Sequence, residues 1–531
     1  MLNFVENGRF IDRDEASHID LFDVQGNLVK AYGRFEFTKA RYIFYRILGE
    51  GGSQGRAFVR DLVPEITNGA AWDKRNEVRI PPVTTNIAFT FTGLKNLGLP
   101  LKSLKSFPPE FMMGMKARRD ILGDDGPSAP EHWDPIWQQE TPVDIMVWIN
   151  ARKSEQLETR YQEICGIVDR YDEVEQVIGH RSSTGENLPY QDAAALLDAD
   201  GSPTSKEHFG YVDGISEPYF KGSCRNSAAV VGGGKLTRTR GNPKTSEGWE
   251  PLETGEFILG YRDEAEEYPV APIPRLLSLN GTFLVYRKLH QNVMSFRSYI
   301  DKVGQYYPDG KTALMAKFSG RWPNGAPLAL FPTEKEADDH MRELHEAREN
   351  SDPKFYELRQ KLEAFNFDDD LEGSRCPVSS HTRRTNPRGS LEFGKEAFET
   401  PGALIDRRRL LRRGLPYGKV DDPARDDGDH GIIFMALGAS IERQFEFVQQ
   451  QWINYGNDFK LANERDPLLG NHGTIADGKG GRMVIEGEKG KRIPFFCANM
   501  PRFVETRGGD YFFLPSITGV RMIGEGIIDP T

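Results

Sequence analysis

RYIFYRIL, residues 41–48, is a run of β-branched and aromatic side chains that reaches glycines at 49, 51, 52 and 55 and continues as RAFVRDLVPEI. A short apolar run closed by glycines and followed by helical spacing predicts strand, turn and helix. The succession recurs. TTNIAFTFT (84–92) and VDIMVWIN (143–150) predict strands, the second followed by the helical SEQLETRYQEICGIV. In the second half GTFLVYRKL (281–289) predicts a strand before the helix-like QNVMSFRSYIDKVGQYY. GIIFMALG (431–438) predicts another before ASIERQFEFVQQQWIN, which sets Ile441, Phe445 and Val448 on one helical face. YFFLPS (511–516) is the last clear strand. Two similar α+β units are expected. Residues 333–365 are charged and helix-prone, with a break at Asp352-Pro353, and predict surface helices without chemistry. The Gly, Ser, Thr and Lys-rich stretch from about 225 to 255 predicts a long exposed loop near a domain boundary.

A chain of 531 residues, 38% hydrophobic, exceeds the size at which one core keeps growing, so two domains are the expectation. The formal charge of −11 disfavours phosphate backbones and anionic lipid as partners, and neither nucleic acid nor membrane is expected. Cys165, Cys224, Cys376 and Cys497 lie far apart with no zinc-like spacing, which suits a reducing compartment. The N-terminal MLNFVENGRFIDRDE has no basic-then-apolar pattern, and no window approaches 18 apolar residues, so a cytoplasmic location is expected.

Several motifs fail on their own chemistry. Glycines 49, 51 and 55 are spaced GxGxxxG rather than as a dinucleotide fingerprint, and GGGKL (232–236) lacks the Ser or Thr after Lys235 that a phosphate loop needs. Three other segments are more specific. FGYVDGISEP (209–218) sets Asp213 between Gly210 and Gly214, a carboxylate on a tight, sterically open turn. An isolated Asp-Gly more often caps its own backbone. CPVSSHTRRTNPR (376–388) places His381 between a Pro-containing turn and Arg383, Arg384 and Arg388. A lone histidine is usually structural, but imidazole is a common haem-iron ligand and nearby arginines suit propionates. RRRLLRRGLPYG (407–418) is a basic run ending in a Gly/Pro turn, ordinarily a solvated surface.

Taken together and in this order, the three segments resemble dye-decolourising peroxidases. GYVDG matches their GxxDG signature, HTRRTNPR is similar to their proximal-histidine segment, and LLRRGLPYG to the segment carrying their distal arginine. DVQGNL (23–28), TNIAFTFTGLKNLGLP (85–100), GEFILGY (255–261), GTFLVYRKL, IERQFEFVQ (441–449) and YFFLPS agree, so the resemblance covers nearly the whole chain. It is to the longer members of the family, and SLEFGKEAFETPGALID (390–406) looks like one of their insertions. That leaves Arg413 as an alternative to Arg412.

The resemblance implies an α+β protein of two ferredoxin-like domains, each an antiparallel sheet with peripheral helices. The boundary is placed near 275, giving domains 1–275, with the GxxDG motif, and 276–531, holding one haem b. It implies a peroxidase that reduces hydrogen peroxide and oxidises dyes, phenols or other bulky aromatics through high-valent iron. His381 would bind the iron on the proximal side, backed by a carboxylate or carbonyl that the sequence does not name. Asp213 would move the peroxide proton, and Arg412 would stabilise charge on the breaking O–O bond. Arg388 is expected to meet a propionate and Phe434 to line the distal pocket. An aspartate base implies an acidic optimum with dyes, and bulky dyes imply electron exit through surface Tyr or Trp. The alternative within the haem class is a haem-handling or iron-releasing protein with weak peroxidase activity. A cofactor-free α+β protein using Asp213 as a base, or a nucleotide-dependent oxidoreductase, would be colourless. The oligomeric state is left open.

Overall fold

The computed structural model describes residues 4–6, 9–11, 19–49, 51–70, 72, 80–139, 143–223, 230–237, 246–391, 403–473, 480–487 and 493–529. Cys224 and residues 392–402 of the expected insertion lie outside them.

The six strands expected from the apolar runs form, the last of them beginning seven residues before its run, and three further strands join them, over 174–176, 191–194 and 411–417. They are β1 (Lys39–Ile47), β2 (Val83–Phe89), β3 (Ile145–Ala151), β4 (Val174–Gln176), β5 (Gln191–Ala194), β6 (Thr282–Gln291), β7 (Leu411–Tyr417), β8 (Gly431–Gly438) and β9 (Val504–Leu514). The run at 84–92 divides. Thr90 stops the strand by accepting the Gly93 N–H and so capping a short helix, Phe91–Asn96. Every residue of β3 is buried, because both faces of the sheet are covered, and its sequence is therefore apolar apart from Asn150.

In the first unit the antiparallel order is β2-β3-β1-β4, with helix α1 (Ser53–Leu62) between β1 and β2 and α2 (Ser154–Val168) between β3 and β4. That is the βαββαβ ferredoxin-like arrangement. The second unit repeats it as β7-β8-β6-β9. Its first crossover is a long excursion holding α3 (Val293–Gly304), α4 (Gly310–Ser319), α5 (Glu334–Glu349), α6 (Lys354–Lys361) and the short α7 (His381–Thr385). Its second crossover winds as π-helical turns over Ile441–Glu446 and Val448–Ile453, burying Ile441, Phe445 and Val448 as expected. The fold is thus the expected pair of α+β units. Residue 275 falls between the last strand of the first unit and β6.

The two sheets are joined at one edge by the pair Phe89↔Phe513 and pack face to face through aromatic rings. Tyr286 meets Tyr42 at 5.6 Å and Phe44 at 5.3 Å between ring centroids, and Phe44 meets Phe512 at 6.2 Å. These rings are fully buried and carry a large share of the core's apolar area.

Two local expectations differ from the structure. LRRGLPY is a strand rather than a turn: among the described residues β7 lies at the edge of the sheet and pairs with β8 alone, a position that tolerates Pro416. The described parts of the Gly-rich stretch are not an exposed loop, since Val230, Val231 and Trp249 are buried and Lys235–Leu236 pairs with Trp249–Glu250.

One buried ion cluster ties the halves together. Lys288 on β6 is wholly enclosed and reaches Asp134, in the first unit, and Asp429, in the second, both at 2.8 Å. Lys288→Met leaves the buried Asp134 and the partly buried Asp429 without their cation and is expected to cost about 3–5 kcal/mol. Chemical denaturation checks this, and a loss below about 1 kcal/mol would contradict it.

Candidate active site

His381 opens α7, and the arginines after it fix that helix rather than face a ligand. Arg383 donates to the Cys376 carbonyl at 2.7 Å and stacks on Phe367. Arg384 donates to the carbonyls of Trp452, Tyr455 and Glu464. Both are fully buried, so the sequence expectation of propionate partners in this pair is corrected: they are held by backbone carbonyls of the proximal segment and, for Arg383, also by Asp370 at 3.4 Å.

The fixed helix turns the His381 ring so that Nδ1 donates to Asp466 Oδ2 at 2.8 Å. Asp466 is buried, and its Oδ1 accepts the N–H groups of Leu468 at 2.9 Å and Leu469 at 2.8 Å. Burial alone would raise the Asp466 carboxyl. The imidazole of His381 and the Leu469 N–H outweigh it and hold the group below the usual aspartate range. Reciprocally, burial would lower His381, but the Asp466 charge and hydrogen bond hold it above the ordinary imidazole value. With the proton on Nδ1, Nε2 is the acceptor atom. It has no protein partner among the described residues, and the ring lines a cavity of about 310 Å³, at the lower end of the range for small-molecule and cofactor sites.

Asp213 enters the same cavity from a tight turn in which Gly210 and Gly214 adopt φ of +104° and +79°, conformations that glycine reaches freely. The aspartate does cap its own backbone, accepting the Gly214 N–H at 2.6 Å, and it also accepts Arg412 Nη1 at 3.0 Å. Arg412 Nη2 donates to the Ile215 carbonyl at 3.1 Å. Burial pushes the Asp213 carboxyl up, but the Arg412 guanidinium and the Gly214 N–H more than offset this, so it stays ionised below the usual aspartate range.

Strand alternation separates the two candidate arginines. Arg412 faces the cavity. Arg413 is buried away from it, donating to the carbonyls of Asn27 at 2.6 Å and Leu28 at 2.9 Å and to Glu217. Phe434 and Ile432 on β8 line the cavity beside Arg412.

Arg388 lines the cavity too, together with Arg321 and Arg409, which the sequence reading did not single out. All three are buried, and their hydrogen bonds go to neutral oxygens. Arg388 donates to the carbonyls of Glu363 and Phe365 and to the Ser216 hydroxyl, Arg321 to the carbonyls of Gly325 and Leu362, and Arg409 to those of Gly233 and Gly234. Burial pushes each below the ordinary arginine value, and for Arg388 the charges of Arg321 and Arg409 add to it. Three enclosed cations without a carboxylate partner among the described residues make a wall suited to an anionic ligand. A nitrogen donor at one place in the cavity and this cationic wall at another fit haem, whose iron takes imidazole and whose propionates take guanidinium.

Asp466 is the functional residue that sequence reasoning missed. Its one local signal is RDPLLG (465–470), an Asp-Pro turn that leaves the next N–H groups free to be capped.

Comparison with known proteins bears on the chain as a whole. A family model, the DyP dimeric alpha+beta barrel domain, matches residues 23–181. The multifunctional dye peroxidase DyP2 of Amycolatopsis sp. is 29% identical over 95% of this chain and 96% of its own length. The dye-decolorizing peroxidase msp1 of Mycetinis scorodonius is 26% identical over 95% of this chain and 88% of its own. Among solved structures, a DyP-type peroxidase of Anabaena sp. superposes with a TM-score of 0.70 at 25% identity, covering 95% of this chain and 94% of that one. Along nearly its whole length the chain is thus similar to DyP-type, dye-decolorizing peroxidases.

Proposed function

We propose that this chain is a haem-dependent peroxidase that reduces hydrogen peroxide and oxidises dyes, phenols and other bulky aromatics. One observation carries the reading: a histidine with a carboxylate-bound Nδ1, and an Nε2 without a partner among the described residues, shares its cavity with an ionised Asp213 held by Arg412. The relatives named as dye peroxidases support the substrate class.

In this reading one haem b per chain is held mainly by the second unit, residues 276–531, and the first unit, residues 1–275, brings the GxxDG turn to it. His381 Nε2 ligates the iron. Asp466 fixes the tautomer and orientation of the ring and raises its basicity. Arg388, with Arg321 and Arg409, receives the propionates, and Phe434 presents an apolar face beside Arg412. When bound, haem supplies a redox centre that takes two electrons' worth of oxidation from peroxide and passes it to reductants one electron at a time. Asp213 does the proton work, accepting a proton from one peroxide oxygen and returning it to the oxygen that leaves as water. Arg412 keeps Asp213 ionised and stabilises negative charge on the separating oxygen. Because Arg412 and Gly214 hold the carboxyl below the usual aspartate range, Asp213 remains a base in acid, which supports an acidic optimum with dyes. Cys165, Cys376 and Cys497 are free thiols, in keeping with a cytoplasmic, reducing location.

Expressed with haem supply, the wild type should show a Soret band that His381→Ala loses. A haem-free wild type would overturn the reading. Asp213→Asn should keep the band but react with peroxide about 10²–10⁴-fold more slowly, read by stopped-flow absorption at pH 3 to 8.

Arg412→Ala should slow the same reaction about 10²–10³-fold with little change in Tm. Arg413→Ala should instead lower Tm, because it abandons the carbonyls of Asn27 and Leu28. The reverse pattern would exchange their roles.

A further inference from the structure

Asp213 stands at the end of a small hairpin whose tip is built around a carboxylate that the proton chemistry above does not use. Asp213 N–H donates to the Ser205 carbonyl at 2.8 Å, Lys206 bridges Val212, and Glu207 N–H donates to the Tyr211 carbonyl at 3.0 Å. Inside the tip, the buried Glu207 side chain accepts the Phe209 N–H at 2.9 Å and the Tyr211 N–H at 2.8 Å. It also accepts the side-chain amide of Gln291, which belongs to β6 of the other unit. Glu207 therefore closes the hairpin and fastens it to the sheet that carries Arg287 and Gln291, and all three residues line the cavity that Asp213 enters.

We propose that Glu207 is the positioning residue for Asp213, bracing the hairpin tip against β6, and that it does so best as the neutral acid, so that charging it weakens the peroxide reaction. The inference rests on the peroxidase reading above.

No cation pairs with Glu207 among the described residues. On its own hairpin, His208 points to the Tyr417 carbonyl, Tyr211 gives its hydroxyl to the Met315 carbonyl, and Asp213 contributes a second negative charge. On β6, Arg287 is paired with Asp124, and Arg502, just before β9, is paired with Asp125. The β9 residues lining the cavity, Val504 and Thr506, are uncharged. Burial, with a smaller contribution from Asp213, pushes the carboxyl up to about 7 against the pull of its hydrogen bonds.

Gln291 can serve either state. Its amide nitrogen donates to the carboxylate, and its Oε1, which has no partner among the described residues, can accept the acid proton once the amide is turned over. Above about pH 7 a charged Glu207 sets a second carboxylate near Asp213, which opposes the negative charge that forms on peroxide as Asp213 takes its proton. An acid whose folded value is raised contributes stability below its unfolded value and loses it as the pH rises through the folded one. The same titration should therefore appear in Tm.

The test compares holoenzymes of the wild type, Glu207→Gln and Glu207→Ala, with two readouts: the stopped-flow reaction with peroxide from pH 5 to 9, and Tm over the same range. The wild-type rate should fall at least threefold between pH 6 and 8.5. Glu207→Gln should stay within threefold of the wild-type rate at pH 5, lose that fall, and hold its Tm better than the wild type at pH 8.5. Glu207→Ala should be at least tenfold slower at every pH with an intact Soret band. If Glu207→Gln keeps both the wild-type alkaline fall and the wild-type dependence of Tm on pH, or if Glu207→Ala reacts as the wild type does, the positioning role is wrong while the peroxidase reading stands. Should Glu207→Ala fail to fold, Glu207→Gln alone decides. A wild type that binds haem but does not react with peroxide overturns both.

Discussion

A carboxylate taken out of water must be compensated, and Asp466 is compensated from three directions: by His381 Nδ1–H and by the N–H groups of Leu468 and Leu469. This arrangement determines what the histidine can do. A ring that donates through Nδ1 to an anion keeps its proton there, so Nε2 is left as the acceptor that faces the cavity. The surrounding backbone is organised to keep this geometry, with Arg383 and Arg384 gathering the carbonyls on either side of α7 and holding the helix against the segment that carries Asp466.

The other wall of the site follows from a different constraint, the period of two along a strand. Because β7 and β8 are paired in register, with Arg412 opposite Ala436 and Gly414 opposite Phe434, the cavity face of the sheet presents Arg412 and Phe434, while Arg413 falls on the opposite face and fastens the 27–28 segment. The Asp213 hairpin docks onto this face from the first unit. The site is thus built on the face of the second sheet opposite the one that packs on the first, and the aromatic packing of Tyr42, Phe44, Tyr286 and Phe512, with the buried Lys288 cluster, holds the two sheets together.

Much of this was legible in the sequence because it is local. Buried strands announce themselves as apolar runs closed by glycines, and Asp213 stands out between the glycines that let its turn form. His381 and Arg412 came from the order of three short segments, with Arg413 left as an alternative until strand pairing fixed which side chains alternate inward. What stayed hidden is long-range. Asp466 lies 85 residues from its histidine, and Arg321 and Arg409 approach Arg388 only through the fold. Basic residues next to a ligand candidate also misled: Arg383 and Arg384 suggest propionate partners by proximity, yet both are fully buried and held by carbonyls and, for Arg383, by Asp370. Pro416 suggests a turn, and only its place on an edge strand explains why it does not end one.

The account stands on His381 binding haem iron through Nε2 with Asp466 behind it. The most direct measurement is the resonance Raman iron–histidine stretching band of the ferrous holoenzyme, compared with that of Asp466→Asn. A band present in the wild type and moved to lower frequency in the variant is the expected result, because an amide cannot lend the ring the anionic character that a carboxylate does. An iron–histidine band that is absent, or that does not move when Asp466 becomes Asn, would contradict the assignment on which the rest depends.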